Sequence, residues 1–381
     1  MIIKRPIKII MLILGGCFGL AIGVLIYLSQ TGKTVTLRQV DENHTLIQKP
    51  HQVKLAQLTF KLGERYPIDG YQAEERLNVL FNRKSLTIVY RPRQNAKVQI
   101  KKMEKAHYIA TAFQVINANT KNGIQTIPKN ETEIDRLRVL YSSDGKKWKT
   151  LKTNYPNWGV RDPDIIHYKK VWYIVYTAGL MKTTDFRHWQ RIDWNYNVSN
   201  QWAWLWAPEF FKDKNGQYHI IASASSDGKS FRIYMTDFDP DTGTAGTNWT
   251  EVTRSNLAGN TIDPHMFIWN NQYKLLTKDE DTKQLNLATS NQYYDGFVNS
   301  LISIPNIGNI MVEAPEAEPL NDFNTTQAGL RVYFDTYDMN GNYYGIHYTD
   351  SDSNLSNWSD MQPIQADFLV RHFGIWNNFI D

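Results

Sequence analysis

One short pattern recurs along the chain and restricts the fold more than any other feature. It consists of a proline beside an acidic or small residue, an apolar strand, a polar turn and a second, aromatic-rich strand. Its four copies begin with RDPDII at Arg161, WAPEFF at Trp206, IDPHMF at Ile262 and VEAPEA at Val312. The four prolines are spaced by 45, 56 and 51 residues. A repeat of about fifty residues built from strands and turns predicts the blades of a β-propeller.

The number of blades follows from a second recurring feature, a polar turn at the end of a strand. These turns lie in RLRVLYSSDGKKW (136–148), TTDFRHW (183–189), MTDFDPDTGTAGTNW (235–249), ATSNQYYDGF (288–297) and YTDSDSNLSNW (348–358). Five such turns predict five blades. RHFGIWNNF (371–379) follows the last turn without outer strands of its own, so we expect it to pair with the strands of 108–150 and close the ring. Such closure removes sheet edges that would otherwise attract partners.

An apolar run lies well before the predicted propeller (107–381). Residues 9–28 carry no charge, and a helix of this length spans a hydrocarbon core of about 30 Å. Basic residues precede the run, which predicts that the N-terminal end stays inside and the rest of the chain outside. We therefore predict a cytoplasmic tip and a transmembrane signal anchor over 1–33. The protein would span a Gram-positive-like cell membrane once, with its bulk extracellular. A lipoprotein, with LGGC (14–17) as its lipobox, is the alternative.

Two segments connect the predicted anchor to the propeller. Residues 34–92 alternate apolar and polar residues in short runs separated by turn formers, which predicts a small β module. Within it, GERY (63–66) and GY (70–71) resemble a motif pair of the mucin-binding-protein-like repeats in Gram-positive surface proteins. The resemblance implies a spacer or an adhesive unit. The polar and basic stretch 93–106 predicts a linker.

Composition narrows the classes of function. The chain is 42% hydrophobic and 13% aromatic, with 12 Trp and 21 Tyr, and only 21% charged. This suits an all-β protein that contacts a ring-shaped ligand. The formal net charge is +4, and the basic residues form no stripe, so nucleic acid is excluded as a partner. Cys17 is the only cysteine, which excludes an internal disulfide and a cysteine-based zinc site. No obligate protein partner is evident.

Each copy of the proline pattern also carries a carboxylate, and we expect the four to occupy the same point of their blades. They are Asp162, Glu209, Asp263 and Glu313. Because the first strand of each propeller blade lines the central channel, these acids would converge at one end of the axis. Several carboxylates at one point are costly unless they bind a cation, share protons or serve chemistry. Two carboxylates that flank a glycosidic bond are what glycoside hydrolysis needs.

The motifs RDPDI, WAPEF, IDPHMF and VEAPE, in this order, resemble glycoside hydrolase family 43 over residues 107–381. The resemblance implies a five-bladed propeller and inverting hydrolysis of arabinofuranosides or xylosides, as in arabinofuranosidases, xylosidases and arabinanases. It implies Asp162 as the general base that activates water and Glu313 as the general acid. Asp263 would raise the pKa of that acid and orient it. Glu209 would face the pocket or support its blade.

Further residues are predicted to bind a carbohydrate substrate or a metal ion. Those predicted to bind substrate are Trp158, Arg161, Trp206, Glu209 and Arg331. His372 in RHFG resembles the late Arg-His-Gly motif of the family, although Phe373 stands where the first Gly is expected. The resemblance therefore implies a structural Ca²⁺ in the propeller channel, held through His372 and water. No cofactor is expected to be required.

Two alternatives to the hydrolase remain open at this point. A non-catalytic glycan-binding surface protein (a lectin or adhesin) would keep the propeller as a binding cup, and the predicted anchor and small β module fit it. The three intact acids argue against it. Fructan-active five-bladed enzymes also contain Arg-Asp-Pro, but they need an upstream Asp nucleophile. Residues 107–160 offer no convincing one.

Overall fold

The computed structural model describes most of the chain after the predicted anchor. It covers residues 32–378, except for positions 42, 43, 45, 60, 67, 69, 70, 77, 81, 82, 93–95, 128–131, 154, 156, 157, 199, 256–259 and 321–328. The predicted transmembrane segment 9–28 lies outside the described residues. Within the described part, no helix combines the length and the hydropathy that a bilayer crossing requires.

The chain divides into two compact units, Met1–Gln94 and Asn95–Asp381. The first unit contains the predicted 34–92 module. Its elements are β1 (Gly32–Asp41), β2 (His51–Ala56), β3 (Leu58–Thr59), α1 (Leu62–Arg65), β4 (Tyr71–Ala73), β5 (Asn78–Val79) and β6 (Ser85–Pro92). The main sheet runs in the order β2–β1–β6–β4, with β1 and β6 parallel, and β3 pairs with β5.

Buried apolar residues at every second position of the strands form the core of this first unit. Val35 and Leu37 of β1 are fully buried, and so are Leu55 of β2 and the pair Leu86 and Ile88 of β6. Every second residue of a strand points to the same face, so these side chains meet on one side of the sheet. The likeness to mucin-binding repeats stays a prediction.

The second unit begins with a helix where the sequence predicts a linker. α2 (Ala96–Met103) lies inside the predicted linker 93–106. Met103 is fully buried in the largest hydrophobic cluster of this unit, and Ile100 packs against the same cluster. Because an apolar face on a short helix gains stability by packing, the segment is part of the second unit rather than a bare linker.

The described part of the second unit forms five sheets, which we call blades 1 to 5. The first strands in chain order are β7 (Tyr108–Val115), β8 (Asn119–Lys121), β9 (Ile124–Thr126), β10 (Asp135–Ser142), β11 (Lys149–Leu151), β12 (Asp164–Tyr168), β13 (Val171–Tyr176), β14 (Gly179–Thr183) and β15 (Trp189–Ile192). They are followed by β16 (Trp204–Lys212), β17 (Tyr218–Ser225), β18 (Arg232–Asp239), β19 (Thr244–Ala245), β20 (Thr250–Glu251), β21 (Arg254–Ser255), β22 (Thr261–Trp269), β23 (Gln272–Asp279), β24 (Leu285–Ser290) and β25 (Phe297–Leu301). The last are β26 (Met311–Pro319), β27 (Leu330–Tyr337), β28 (Tyr343–Asp350), β29 (Gln362–Pro363) and β30 (Arg371–Asn377).

The sheet orders give each blade its composition. Blade 1 is β11–β10–β7–β30, and blade 2 is β12–β13–β14–β15. Blade 3 is built on β16–β17–β18–β19, with β20 also paired to β18. Blade 4 is β22–β23–β24–β25–β21, and blade 5 is β26–β27–β28, with β29 and the hairpin β8–β9 added beyond β28. Neighbouring strands are antiparallel except for the short pair β21–β25.

The innermost strands close a ring. β12 contacts β16, β16 contacts β22, β22 contacts β26, β26 contacts β30, and β30 contacts β12. β30 also pairs antiparallel with β7 in blade 1, from Asn377 opposite Tyr108 to Gly374 opposite Thr111. The shared blade predicted for 371–379 and 108–150 is confirmed for the described residues. The second unit is therefore a closed, propeller-like ring of five sheets.

The repeated proline marks a β-bulge in most blades, where the sequence predicts the start of a strand. Pro208, Pro264 and Pro315 lie inside β16, β22 and β26, at places where the register of pairing with the next strand shifts. A bulge leaves one residue out of the hydrogen-bond ladder, so a proline without an N–H costs nothing there. The proline pattern that repeats along the sequence therefore marks the bulges of the inner strands rather than the starts of those strands.

Candidate active site

One left-handed backbone residue in or just before each of the five inner strands allows these strands to be aligned with one another. The residue just before the proline, or before Phe373 in β30, has a left-handed backbone with φ between 47° and 56° in every case. These residues are Asp162, Ala207, Asp263, Ala314 and His372. We call all five bulge residues for their shared backbone conformation, although Asp162 lies two residues before its strand, β12, begins. A non-glycine residue in this region costs about 1–2 kcal/mol. Such strain tends to persist where surrounding structure or function requires it.

Alignment of the strands on these residues corrects the expectation that the four acids occupy the same point of their blades. Only Asp162 and Asp263 are bulge residues. Glu313 precedes the bulge residue of its strand by one position, and Glu209 follows it by two. Successive side chains of a strand point to opposite faces, and the bulge re-aims them locally. The acids therefore reach the axis at two levels.

Asp162, Asp263 and Glu313 lie at the upper level, which we call the cup. Asp162 Oδ1 is 3.5 Å from His372 Nδ1, and its Oδ2 accepts a hydrogen bond of 2.9 Å from the hydroxyl of Thr177. Asp263 Oδ2 accepts a hydrogen bond of 3.0 Å from the backbone N–H of Ala314, the residue after Glu313. The structure thus brings the three predicted acids together from blades 2, 4 and 5.

Asp263 is the carboxyl group of the cup that most readily keeps a proton. Burial raises its pKa, the positive charge of His372 lowers it, and the negative charges of Glu313 and Asp162 raise it further. The net result is a pKa of about 7. At neutral pH a large share of Asp263 is therefore a neutral acid that can donate a hydrogen bond.

Glu313 has the opposite character. Lys278 Nζ lies 2.8 Å from its Oε2, and Arg371 Nη2 lies 3.1 Å from its Oε1. Burial alone would raise the pKa of Glu313, but these two cations outweigh it and lower the pKa to about 2. The expectation of a raised pKa for this acid is wrong for the protein without substrate, because both carboxylate oxygens are held by cations.

The cup contains charged residues that the sequence analysis missed. They are Glu133, Asp135, Lys278, Asp335 and Arg371. Asp335 accepts hydrogen bonds from the N–H of His372 and the hydroxyl of Tyr343, and burial raises its pKa to about 6. A signal for two of them exists in the sequence. Lys278 and Asp335 each interrupt a run of apolar or uncharged strand residues, as in LLTK (275–278) and VYFDTY (332–337).

Arg161 and Trp206 lie at equivalent positions, one residue before the bulge. Arg161 contacts Glu133, Asp135 and Asp162, and 43% of its side chain is exposed. The indole of Trp206 stacks on Phe231, with ring centroids 4.3 Å apart and planes at 25°. Both residues therefore belong to the level of the cup, where a substrate could reach them.

Two of the predicted substrate-binding residues lie elsewhere. Trp158 packs against Tyr155, and the guanidinium of Arg191 lies 4.6 Å above its ring. Arg331 stands at the opposite end of β27 from the cup. There it forms a two-pronged ion pair of 2.7 Å bonds with Asp350 and donates to the carbonyl of Asp144 in blade 1. Arg331 is a structural residue that ties blade 5 to blade 1.

The second level along the axis is formed by the residues two positions after each bulge residue. We call Asp164, Glu209, His265 and Glu316 the lower ring; all four are buried. The fifth position is Gly374, where a Cβ atom would lie only 2.3 Å from Asp164 Oδ1. Glu209, predicted to face the substrate pocket, lies in this ring and bonds to His265 instead. Glu209 lies below the cup because it stands two residues after the bulge residue of its strand.

The predicted Ca²⁺ site at His372 does not fit the residues around it. One ring nitrogen lies 3.5 Å from Asp162 Oδ1 and the other 3.7 Å from Glu209 Oε1. Burial would lower the pKa of His372, but Glu209, Asp162 and Asp263 raise it to about 10. Each ring nitrogen faces a different carboxylate, so the two contacts do not converge on one point where an ion could bind. His372 instead acts as a cation that links the cup to the lower ring.

Comparisons with known proteins give the fold a context. No model of a protein family and no curated protein matches this chain. Among solved structures, an endo-1,4-β-xylanase of Bacteroides thetaiotaomicron shares 14% identity at a TM-score of 0.48, over 69% of this chain and 99% of that one. An endo-arabinase of the same organism shares 18% identity at a TM-score of 0.43, over 54% and 80%. A thermostable family-43 glycoside hydrolase shares 12% identity at a TM-score of 0.46, over 68% and 95%. One of these structures thus carries the name of the family that the sequence resembles.

Proposed function

We propose that this protein is a glycoside hydrolase that cleaves arabinofuranosidic or xylosidic linkages with inversion. The observation that carries the proposal is the meeting of Asp162, Asp263 and Glu313, from three blades, at one end of the propeller axis. Hydrolysis of a glycosidic bond requires one carboxyl group that gives a proton and one that activates water. Three carboxyl groups in one cup with different charge states meet that requirement.

In this proposal Asp162 is the general base. The hydroxyl of Thr177 and the imidazolium of His372 fix its two oxygens, while part of its side chain stays exposed to the cup. An inverting base must be ionised and must leave room for a water between itself and the sugar.

The acid role of Glu313 requires a change on substrate binding. Without substrate, its oxygens are engaged by Lys278 and Arg371, so it carries no proton to give. A sugar that enters the cup must displace at least one of these cations from Glu313. Asp263, with a pKa of about 7, is a buried neighbouring carboxyl group able to hold a proton until then.

Arg161 and Trp206 are the residues proposed to contact the sugar. An exposed guanidinium can donate to hydroxyl oxygens, and an indole face packs against the apolar face of a sugar ring. Trp204, which is 52% exposed and has its ring 5.9 Å from that of Trp206, extends the aromatic surface away from the axis.

The test is turnover by the full chain and by isosteric variants. Asp162→Asn and Glu313→Gln should each lower kcat/KM on aryl arabinofuranoside, aryl xyloside or linear arabinan by about 10²–10⁴-fold, because each removes a proton-transfer group. Glu318→Gln is the matched control: it is a buried acid of the same strand as Glu313 that bonds to Asn377 and lies outside the cup. It should retain activity.

Thermal unfolding separates lost chemistry from lost structure. The Asp162 variant should unfold within a few degrees of the wild type. Glu313→Gln should unfold at a lower temperature, because Lys278 and Arg371 lose their carboxylate partner, so its turnover is measured below its own Tm. If folded variants keep full turnover, the assigned roles are wrong; if the wild type turns over none of these substrates, the hydrolase proposal fails.

A second candidate function is favoured by one observation. The double clamp of Lys278 and Arg371 on Glu313 is a stable arrangement for a protein that binds glycans without cleaving them. Such a protein would bind arabinose- or xylose-containing oligosaccharides in calorimetry, show no product after prolonged incubation, and lose binding in Trp206→Ala. Product formation by the wild type excludes this candidate.

The location is part of the same proposal. The apolar run 9–28 would hold the protein in a cell membrane with residues 34–381 outside, where a polysaccharide substrate is accessible. Protease treatment of intact cells should degrade the propeller unit. Protection of that unit in intact cells, with degradation only after lysis, contradicts the proposed topology.

A further inference from the structure

The lower ring concentrates buried charge that the proposed hydrolysis does not use. Glu209 is 1% exposed, Glu316 is 2% exposed and His265 is 8% exposed. They come from blades 3, 5 and 4, so the closed ring rather than local sequence brings them together. Burying carboxylates in this way is costly unless a positive charge compensates them.

The imidazole of His265 does not fully satisfy its two acidic neighbours. His265 Nδ1 lies 2.8 Å from Glu209 Oε2 and 3.0 Å from Glu316 Oε2. A ring nitrogen carries one proton at most, and the hydrogen bond goes to Glu209. Glu316 Oε2, Glu209 Oε1 and His265 Nε2 are buried without a hydrogen-bond partner among the described residues. Each such atom costs about 1–3 kcal/mol.

A third carboxyl group adds to the excess of negative charge. Asp164 of blade 2 belongs to the same ring, and its oxygens accept hydrogen bonds of 2.6 Å from the N–H groups of Phe210 and Ile165. Three acids and one imidazole therefore belong to the lower ring, and Gly374 leaves room beside it for the carboxylate of Asp164. Even a protonated imidazole leaves this ring short of positive charge when the acids are ionised.

We propose that the lower ring binds one divalent transition-metal ion, of the Mn²⁺ or Zn²⁺ class, through Glu209, His265 and Glu316. One ligand atom from each of these residues lies within 4.8 Å of the others, so a single ion can reach all three. The ion would take the place of the proton that His265 Nδ1 now shares with the carboxylates. It would thus satisfy the oxygen of Glu316 that lacks a partner.

The donor set decides the class of metal. One imidazole nitrogen with two carboxylates suits Mn²⁺, Fe²⁺ or Zn²⁺, which accept mixed nitrogen and oxygen ligands at about 2.0–2.2 Å. Ca²⁺ and Mg²⁺ prefer oxygen ligands alone. The proposed site therefore differs from the Ca²⁺ site at His372 in its residues, its level along the axis and its metal.

A cavity gives the ion a route that avoids the cup. It has a volume of about 310 Å³ and is lined by Asp164, His265 and Glu316 together with aromatic side chains such as Phe267 and Trp376. Asp162, Asp263 and Glu313 are not part of its lining. The ion would therefore exchange with solvent at the end of the axis opposite the cup, and a bound sugar would not block it.

The metal would stabilise the fold, since its ligands would come from blades 3, 4 and 5 and it would link these blades at the axis. Binding to the folded state alone stabilises a protein in proportion to the logarithm of metal concentration over Kd. The proposal stands independently of the hydrolase proposal, because metal binding is measured without a sugar.

The experiment uses the full chain, stripped with a chelator and dialysed. Mn²⁺ titration followed by electron paramagnetic resonance should show one bound ion per chain, and Zn²⁺ should bind in calorimetry. Ca²⁺ should bind at least about tenfold more weakly, and Mn²⁺ or Zn²⁺ should raise Tm. Glu209→Gln and Glu316→Gln, which keep the shape of the side chain, should each weaken Mn²⁺ binding at least about tenfold.

Two variants serve as controls. Glu318→Gln removes another buried acid from the strand of Glu316 and should keep the wild-type affinity for Mn²⁺. His372→Gln removes the histidine of the predicted Ca²⁺ site and a cation 3.7 Å from Glu209 Oε1, so it should shift the affinity without abolishing binding. The proposal is overturned by absence of binding to the stripped wild type or by tighter binding of Ca²⁺ than of Mn²⁺ and Zn²⁺. It is equally overturned if folded Glu209→Gln and Glu316→Gln bind Mn²⁺ normally, or if His372→Gln alone abolishes binding.

Discussion

At the scale of single residues, neighbours decide what each carboxyl group of the cup can do. Asp263 is buried and the neighbouring side chain of Glu313 is only 20% exposed, yet the pKa of Asp263 is raised to about 7 and that of Glu313 is lowered to about 2. The difference comes mainly from Lys278 and Arg371, which form ion pairs with Glu313 and none with Asp263. Any change to these two cations therefore changes the protonation of the cup.

Replacement of Lys278 tests this assignment. Lys278→Met should destabilise the protein at pH 7 by about 3–5 kcal/mol, because it leaves a buried carboxylate without one partner. A lowered pKa means that ionised Glu313 contributes stability above its ordinary pKa of 4.5, and that this contribution is lost as pH falls toward 2. The difference in unfolding free energy between wild type and variant should therefore shrink as pH falls from 6 to 3.

The control for this variant lies on the same strand. Lys274→Met removes a lysine that bonds to Thr289 instead of an acid of the cup, so its effect should not depend on pH over this range. Urea denaturation at several pH values measures both. An equal loss for Lys278→Met at pH 6 and pH 3 contradicts the role given to Lys278.

The sequence reveals some residues of the cup and hides others for a physical reason. Asp162 and Asp263 stand in the repeated proline pattern, so alignment of the repeats finds them. Lys278 and Arg371 reach Glu313 only through the closed ring, and no pattern in the sequence records that contact. The sequence does not show that Arg331 lies away from the cup, because a lone arginine in a strand does not reveal which end of the strand faces the site.

At the scale of elements, the bulge of each inner strand sets the level that its side chains reach. The repeat in the sequence is sufficient to predict the blades, but it does not give the register inside each bulge. That register separates Glu209 from Asp162 and Asp263 by two positions. An alignment on the backbone left-handed residue, rather than on the acids, would have separated the cup from the lower ring.

Gly374 tests the packing of the bulge in β30. A Cβ atom there would lie 2.4 Å from Asp164 Cα and 2.8 Å from the carbonyl oxygen of Pro163, both parts of the backbone. Gly374→Ala should therefore lower the unfolding free energy by about 3 kcal/mol or more. Chemical denaturation measures the change.

Gly159→Ala is the matched control, since a Cβ atom at that position meets no neighbour within 4 Å. Its effect should stay within about 0.5 kcal/mol. Equal stability of the two alanine variants would show that β30 and β12 do not approach as closely as described.

At the scale of the whole molecule, two kinds of contact hold the ring closed between its first and last blades. β30 completes the sheet of blade 1, and Arg331 of blade 5 reaches the turn after β10. The sequence predicts the first contact, because 371–379 lacks outer strands of its own. It does not predict the second, because the partner of Arg331 lies 187 residues away.

Arg331→Met measures the second contact. It should destabilise the ring by about 2–3 kcal/mol, since a buried guanidinium loses its pair with Asp350 and its bond to Asp144. Turnover or glycan affinity of the folded variant should equal that of the wild type. Arg232→Met removes an arginine from an exposed pair with Glu251 and should cost less than about 1 kcal/mol. A raised KM with unchanged Tm in Arg331→Met would restore its predicted role in substrate binding.

β30 brings Arg371 and His372 into the cup, although it completes a blade whose other strands come from residues 108–151. The site therefore gains two of its positive charges only when this strand docks on β7. A ring that has not closed would hold the three acids without these cations, so closing the ring and organising the site are a single event.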